Sequence, residues 1–167
     1  MAEQKDLFAK LREISNKQHM AAISLQVKLK KVHENAVIPT YAKDGDMGMD
    51  LTAVSYEYDE KLDCHIYHTG IAVEIPRGYG MLLFPRSSNR KTDAYMTNHV
   101  GIVDSGYRGE ILLCFKNREK GDLTMPYNVG DRVAQCVILN YRPVSFIEVE
   151  ELSASERGEG GHGSTGK

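Results

Sequence analysis

Residues 100–112 are Val-Gly-Ile-Val-Asp-Ser-Gly-Tyr-Arg-Gly-Glu-Ile-Leu. Apolar residues on both sides of a glycine-containing middle predict two short strands joined as a β-hairpin. The connection carries Asp104 and, three residues later, Tyr107. An acid and an aromatic ring on one rigid loop suit a site that activates a water and stacks a flat ligand. The same pair also fits a turn residue and a ring that half-fills a core, because Asp and Gly are ordinary turn formers.

Similar strand-like runs recur about every ten residues, usually separated by Gly, Pro, Asn or Asp. The predicted strands are 23–30, 51–55, 64–68, 71–75, 81–84, 95–97, 101–103, 111–116, 123–125, 133–141 and 146–149. This cadence predicts an all-β domain of the sandwich, jelly-roll or barrel type, which we place at residues 22–152.

The two ends of the chain depart from that cadence. Residues 1–21 are predicted to form a helical extension, because Leu7, Leu11 and Ile14 fall on one helical face. Residues 153–167 are predicted to form a flexible arm, since the stretch from Arg157 onward is rich in glycine and lacks aliphatic residues. Glycine backbones expose N–H groups, so such an arm can become ordered on an anionic ligand.

The bulk composition narrows the class of function. The chain has 167 residues, of which 41% are apolar, and a net charge of −2. That charge argues against a nucleic acid polymer as the main partner, although a mononucleotide needs only a few local cations. Three widely spaced cysteines match neither a disulfide framework nor a zinc site and predict reduced thiols. With no signal peptide or membrane-length apolar run, we expect no membrane partner and a cytoplasmic location, or a nuclear or host-cytoplasmic one for a viral protein.

Three further groups of polar residues could carry chemistry. Arg86, Ser87 and Ser88 end an apolar strand and predict a small anion site, although such residues are also common on surfaces. Gln135 lies among apolar neighbours, so its amide needs a partner and equally fits a core residue bonded to backbone. Asp50 lies between a glycine turn and a strand, where turn and cap roles are common.

In order and spacing, five segments together resemble the five motifs of the trimeric dUTP pyrophosphatases, or dUTPases. The segments are 41–53, 85–88, 101–110, 130–135 and 157–166. Two positions differ from the usual pattern: Met47 replaces a small residue before Gly48, and His162 stands where most members have Phe. The match covers nearly all of the chain except the N-terminal extension.

The resemblance implies an all-β, jelly-roll-like β-barrel that closes into a homotrimer with three active sites at its subunit interfaces. Motifs one, two and four of each site would come from one subunit, motif three from a second and motif five from the third. The implied reaction is hydrolysis of dUTP to dUMP and pyrophosphate with Mg²⁺, which limits uracil in DNA and supplies dUMP for thymidylate synthesis.

The resemblance also implies residue roles. Asp104 would be the general base, aligning a water for attack at the α-phosphorus, and Asp50 would hold Mg²⁺ through water. Tyr107 would lie beneath the deoxyribose and exclude a 2′-hydroxyl, and His162 would cover the uracil. The implied substrate-binding residues are Arg86, Ser87, Ser88, Asn98, Gly101, Val103, Tyr107, Gln135, Arg157, His162, Gly163, Ser164 and Thr165.

Two alternatives share the same scaffold. A dCTP deaminase needs a general-base glutamate on the strand after the hairpin, where this chain has Cys114. A nucleotide-sensing regulator or interaction module on this scaffold is the second alternative, with the N-terminal helix as the place where a partner docks.

Overall fold

The computed structural model describes residues 6, 10 and 24–161. Within that part of the chain there are nine β-strands and one 3₁₀ turn, Ser87–Lys91. The strands are β1 (Lys28–Lys31), β2 (Met49–Thr52), β3 (Ser55–Asp59), β4 (Cys64–Glu74), β5 (Tyr79–Pro85), β6 (Ala94–Met96), β7 (Gly101–Val103), β8 (Glu110–Asn117) and β9 (Arg132–Asn140). The predicted all-β class is confirmed.

The strands form two antiparallel sheets. The five-stranded sheet has the order β1-β4-β8-β6, and β3 also pairs with β4. β1 pairs with the C-terminal half of β4 and β3 with its N-terminal half, so they share one edge of that long strand. The four-stranded sheet has the order β2-β9-β5-β7.

The core lies between the two sheets and follows the two-residue period of the strands. In β8, Ile111, Leu113 and Phe115 are buried, whereas Leu112 between them is exposed. Three aromatic rings pack edge to face in this core, with centroid distances of 5.9 Å for Tyr67–Phe115, 6.0 Å for Tyr67–Tyr127 and 5.3 Å for Phe115–Tyr127. The three cysteines are free thiols, as predicted.

Several predicted strands were wrong in extent or existence. The runs 64–68 and 71–75 form one strand, β4, whose pairing with β8 shifts between His68 and Ala72. β3 lies largely outside the predicted strands, and 123–125 and 146–149 are not strands. The apolar residues of 146–149 do not pack on either sheet in the described part of the chain, since Phe146 is 97% exposed and Ile147 84% exposed.

The predicted hairpin around Asp104 was also wrong. β7 pairs with β5 in the four-stranded sheet, whereas β8 pairs with β4 and β6 in the five-stranded sheet. Residues 104–109 therefore cross from one sheet to the other instead of joining paired neighbours. The stretch 97–100 makes the opposite crossing, from β6 to β7.

The N-terminal extension is described only at Asp6 and Lys10. Both are helical, and an ion pair of 2.8 Å joins them across one turn. The domain boundaries given above remain predictions.

Candidate functional site

A cluster of charged side chains lies where β2, β5 and β9 meet. Asp50 on β2 accepts a hydrogen bond from Arg86 Nε at 2.6 Å and another from Arg132 Nη1 at 3.0 Å. β9 brings these residues together, because Asp50 and Phe84 both pair with Gln135. Two guanidinium groups around one carboxylate leave a net positive charge, so this cluster attracts anions.

The serines of this cluster lie on the 3₁₀ turn that follows β5. Arg86 Nη1 donates to Ser88 Oγ at 3.2 Å and to the backbone oxygen of Arg132 at 3.3 Å. Ser87 is exposed and Ser88 half-buried. The strand end thus presents one guanidinium and two hydroxyls to solvent, a set of donors suited to phosphate oxygens.

The side-chain amide of Gln135 has a hydrogen-bond partner, as its apolar surroundings require. Its Nε2 donates to the backbone oxygen of Pro85 at 3.2 Å. Gly48 packs against the same amide so closely that an added Cβ would lie 2.8 Å from Gln135 Oε1. The glycine therefore lets the segment before β2 approach β9. We call the continuous region formed by these residues the cationic cluster: Gly48, Asp50, Arg86, Ser87, Ser88, Arg132 and Gln135.

A separate cavity of about 220 Å³ lies where the chain crosses between the sheets. It is lined by Leu83, Asn98, Gly101, Ile102, Val103, Asp104, Tyr107, Glu110, Ile111 and Leu112. The sequence prediction named Asn98, Gly101, Val103, Asp104 and Tyr107, and missed the others. The apolar alternation of β8 pointed to Ile111 as a core residue but not to its place beside a cavity.

One wall of this cavity depends on a glycine. A Cβ at Gly101 would lie 2.9 Å from Asn98 Nδ2 and 3.1 Å from Leu83 Cβ. Any larger residue would push the Asn98 amide out of place. Gly101 thus positions Asn98 as well as lining the cavity.

Tyr107 lies at the mouth of the cavity. Its hydroxyl donates to the backbone oxygen of Glu110 at 2.9 Å, and its backbone N–H donates to that of Asp104 at 3.0 Å. The ring lies against Gly109, where a Cβ would be 2.6 Å from Tyr107 Cζ. Because Tyr107 is 45% exposed, the ring does not fill the core and is available to a ligand.

Asp104 is exposed directly after β7. Within residues 24–161 its carboxylate makes no hydrogen bond or ion pair with another side chain. Both carboxylate oxygens are therefore open to water.

Glu110 also lines this cavity, although the sequence prediction assigned it no role in the site. Its Oε1 accepts from the backbone N–H of Gly70 at 2.7 Å, and its Oε2 lies 2.9 Å from His68 Nδ1. Thr69 Oγ1 donates to the backbone oxygen of Ile111 at 2.7 Å. These contacts lie at the irregularity in β4 between His68 and Ala72. They hold β8, which begins beside the cavity, against β4.

Asp104 and the cationic cluster lie towards opposite ends of β5. Val103, just before Asp104, pairs with Met81, whereas Arg86 follows Pro85 at the other end of the strand. At a rise of ~3.3 Å per residue, roughly 15–20 Å of strand separates them. The predicted base and the predicted phosphate binders of one chain are thus not brought together.

The remaining predicted residues lie in the C-terminal arm. Arg157 is exposed, and its Nε donates to the backbone oxygen of Gly160 at 2.8 Å, a contact within the arm itself. His162, Gly163, Ser164 and Thr165 lie outside the described residues.

Among residues 6, 10 and 24–161, no group of three or more His, Cys, Asp or Glu side chains is arranged to hold a metal ion. In the same part of the chain, no helix is long and apolar enough to cross a membrane.

Comparison with known proteins identifies the family. The model of the dUTPase family matches residues 34–166. The chain is 38% identical over 141 residues to the deoxyuridine 5'-triphosphate nucleotidohydrolase of Alkaliphilus metalliredigens, across 84% of this chain and 96% of that protein. It is 39% identical over 150 residues to the protein of the same name from Nocardia farcinica, across 88% of both.

Solved structures agree with the sequence comparison. The dUTPase of Staphylococcus bacteriophage 80alpha with dUPNHPP has a TM-score of 0.72 and 27% identity, across 86% of this chain and 100% of that one. A mutant dUTPase from phage phi11 of S. aureus, described for its coordination of a structural Mg(II) ion, has a TM-score of 0.62 and 25% identity, across 76% of this chain and 98% of that one. Because the family model spans most of the chain and relatives of that name are 38% and 39% identical along most of their length, the chain belongs to the dUTPase family.

Proposed function

We propose that this chain hydrolyses dUTP to dUMP and pyrophosphate, and so limits uracil in DNA and supplies dUMP for thymidylate synthesis. The observation that carries the proposal is the cavity of about 220 Å³ in a dUTPase-family chain, which presents a free carboxylate and an exposed aromatic ring side by side.

Asp104 is the proposed general base. Its exposed carboxylate accepts a hydrogen bond from a water and receives the proton as that water attacks the α-phosphorus. An aspartate is a weak base, so most of its contribution comes from holding the water in line with the leaving pyrophosphate. The rest of the barrier is lowered by charge stabilisation around the phosphates.

The cationic cluster supplies that stabilisation. Arg86 offers guanidinium N–H groups, Ser87 and Ser88 offer hydroxyls, and Gln135 lies beside them. Asp50 holds the guanidinium of Arg86 at 2.6 Å, so this donor is oriented before a ligand arrives. In the arm, Arg157, Gly163, Ser164 and Thr165 are the proposed additional phosphate contacts, and His162 is the proposed cover over the uracil.

Mg²⁺ is the proposed cofactor, and Asp50 is the proposed residue that reaches it through water. Each Asp50 oxygen accepts one guanidinium N–H and keeps a lone pair for a water. The net positive charge of the cluster favours the triphosphate over a bare cation, which fits an ion that is bound mainly by the substrate. When bound, the ion neutralises and orients the phosphate chain.

The nucleoside is proposed to occupy the cavity. Asn98 and the backbone of β7 provide hydrogen-bonding groups for the uracil edge and the 3′-hydroxyl. Tyr107 packs beneath the deoxyribose, where its ring leaves no room for a 2′-hydroxyl. The discrimination against ribonucleotides therefore depends on the position of one exposed ring.

A homotrimer is the proposed assembly, with the cavity of one chain facing the cationic cluster of another. The separation of Asp104 from Arg86 along β5 supports it, because one chain cannot offer both to a single nucleotide. Exposed apolar residues next to Asp104 support it too: Ile102, Leu139 and Tyr141 are 71%, 41% and 55% exposed and line one groove. Contiguous apolar surface of this kind marks an interaction site.

We infer a reducing, cytoplasmic location from the three free thiols.

The proposal is tested by measuring pyrophosphate release from dUTP, dCTP, dTTP and UTP, with Asp104→Asn as the matched inactive control. We expect release from dUTP alone and a loss of about 10²-fold or more in the variant. Equal turnover of UTP or dTTP contradicts the role of the cavity, and full activity of Asp104→Asn contradicts the assignment of the base.

The same assay separates hydrolysis from deamination. Cys114 occupies the position of the deaminase glutamate, and burial raises the pKa of its thiol, so it stays neutral. Ammonia released from dCTP would contradict the proposed reaction.

A further inference from the structure

The 3₁₀ turn Ser87–Lys91 is weakly anchored by its own residues. It has no buried residue, and its N-terminal flanking residue, Arg86, makes no side-chain cap. Yet this turn carries Ser87 and Ser88 of the cationic cluster. A short helix without apolar anchors must be held in place by polar contacts.

Asn89 makes those contacts. Its Oδ1 accepts from the hydroxyl of Tyr127 at 2.7 Å, and its Nδ2 donates to the backbone oxygen of Ala94 at 3.0 Å. Its backbone N–H donates to the oxygen of Arg86 at 2.9 Å, and its own oxygen accepts from Thr92 Oγ1 at 2.8 Å. The side chain of Asn89 therefore joins the turn to the body of the domain through Tyr127 and Ala94, while its backbone contacts close the turn itself.

Tyr127 is itself rigid. It is 8% exposed, and its ring packs edge to face on Tyr67 and Phe115. Its backbone N–H donates to the Tyr67 hydroxyl at 3.0 Å, and that hydroxyl donates to the backbone oxygen of Tyr127 at 2.9 Å. Burial raises the pKa of Tyr127, which keeps its hydroxyl a neutral donor, while the nearby Arg86 acts in the opposite direction.

We propose that Tyr127 and Asn89 are positioning residues for nucleotide triphosphate binding: their hydrogen bond transmits the rigidity of the aromatic core to the turn that holds Ser87 and Ser88. The inference deepens the proposed function and rests on it. Neither residue touches the phosphates. Their hydrogen bond fixes where the two hydroxyls stand relative to Arg86.

The test uses Tyr127→Phe, which removes one hydroxyl and keeps the ring, and Asn89→Ala. Dissociation constants are measured for a non-hydrolysable dUTP analogue and for dUMP, together with kcat and KM for dUTP. We expect the analogue to bind about tenfold more weakly to each variant, while dUMP affinity stays within about twofold, because only the longer phosphate chain reaches the turn. The double variant should be no weaker than the worse single one, since both remove the same contact.

Tyr56→Phe is the matched control. The Tyr56 hydroxyl lies 2.9 Å from His65 Nδ1 on the five-stranded sheet. Tyr56→Phe therefore removes the same chemical group, a tyrosine hydroxyl, at a position outside the 3₁₀ turn. This variant should leave both affinities unchanged.

Three outcomes overturn the proposal: unchanged analogue binding in Tyr127→Phe, an equal loss for dUMP and the analogue, or the same loss in Tyr56→Phe. If Asn89→Ala does not fold, Tyr127→Phe alone decides the question. A failure of the proposed function is distinguishable, because the unaltered protein would then neither bind the analogue nor turn over dUTP.

Discussion

Gly48 shows how one missing methyl group sets the position of Gln135, a proposed substrate-binding residue. A Cβ there would lie 2.8 Å from Gln135 Oε1, the far end of a flexible side chain. Gly48→Ala should therefore displace the Gln135 amide from the oxygen of Pro85 at little cost in stability. We expect kcat/KM for dUTP to fall about 10- to 100-fold, since small misplacements of positioning groups cost that much.

Gly80→Ala is the control for this substitution. A Cβ at Gly80 meets only the backbone oxygen of Val103, at 3.9 Å, which is an ordinary contact. Thermal unfolding should show both variants close to the unaltered protein. Activity of Gly48→Ala equal to that of Gly80→Ala would show that Gln135 does not depend on the glycine.

At the residue scale, the sequence predicted which side chain needs a hydrogen-bond partner better than it predicted which residue that partner is. The need of Gln135 for a partner followed from its apolar neighbours, and the structure supplies Pro85. The contact of Asp50 with two arginines did not follow, because Arg132 lies far from Asp50 in sequence and meets it only through the pairing of β2 with β9. The same holds for Glu110, whose partners Gly70 and His68 lie on a strand some forty positions earlier.

At the scale of elements, the irregularity in β4 is filled by the carboxylate of Glu110. Glu110→Ala leaves the N–H of Gly70 and the ring of His68 without that acceptor. We expect unfolding to cost about 1–3 kcal/mol less, the usual penalty for a buried polar group that loses its partner. Glu110→Gln keeps one acceptor oxygen and should lose less.

Urea unfolding monitored on both Glu110 variants checks this order. The backbone oxygen of Glu110 also accepts from Tyr107, so nucleotide selectivity is a second observable. A midpoint for Glu110→Ala equal to that of the unaltered protein would mean that β4 is held by its other contacts.

The turn between β3 and β4 gives a pH-dependent contribution to stability. A hydrogen bond from the hydroxyl of Tyr58, and a second from the backbone N–H of Gly121, lower the pKa of Asp63 below its ordinary value of 3.8. A carboxyl group whose pKa is lower in the folded than in the unfolded protein stabilises the folded state at pH values above its unfolded-state pKa. This stabilisation is lost as the pH falls through the folded-state pKa. Stability should therefore fall with acidification below about pH 4.

Asp63→Asn should flatten that acid dependence in urea midpoints measured between about pH 5 and pH 2.5. Asparagine suits the position, because residue 63 has a φ of 52°. Some acid dependence should persist, since hydrogen bonds from Lys28 and from Thr124 likewise lower the pKa of Glu74 and of Asp122. An unchanged acid slope would show that the Tyr58 contact contributes nothing to folding.

The elements also show why the fold class was predictable and the connections were not. Strand existence follows from alternation within a few residues, as in Ile111, Leu113 and Phe115. The partner of a strand depends on the whole sheet, so the glycine-rich stretch after β7 predicted a hairpin while the chain in fact crosses between sheets. That crossing creates the cavity, whose lining comes from both sheets.

At the scale of the whole molecule, the distance between Asp104 and Arg86 makes a prediction about mixed assemblies. Asp104→Asn and Arg86→Ala should each be inactive alone. After unfolding and joint reassembly at equal amounts, about one quarter of the sites should be intact, because in the proposed assembly each site takes Asp104 from one chain and Arg86 from another.

Pyrophosphate release from the reassembled mixture measures this fraction. A chain with both substitutions, mixed in the same way with either single variant, is the control and should restore no activity. Absence of recovery in the first mixture, with assembly intact by size-exclusion chromatography, would mean that each site is built within one chain.

The length of β5 has a kinetic consequence as well. If the two halves of the site meet only between copies, turnover per chain is a property of the assembly and not of the polypeptide. On progressive dilution, specific activity should fall as the subunits separate, while the sheets of each chain remain folded. The amount of protein a cell makes would then determine both how many active sites it has and what fraction of its chains can work.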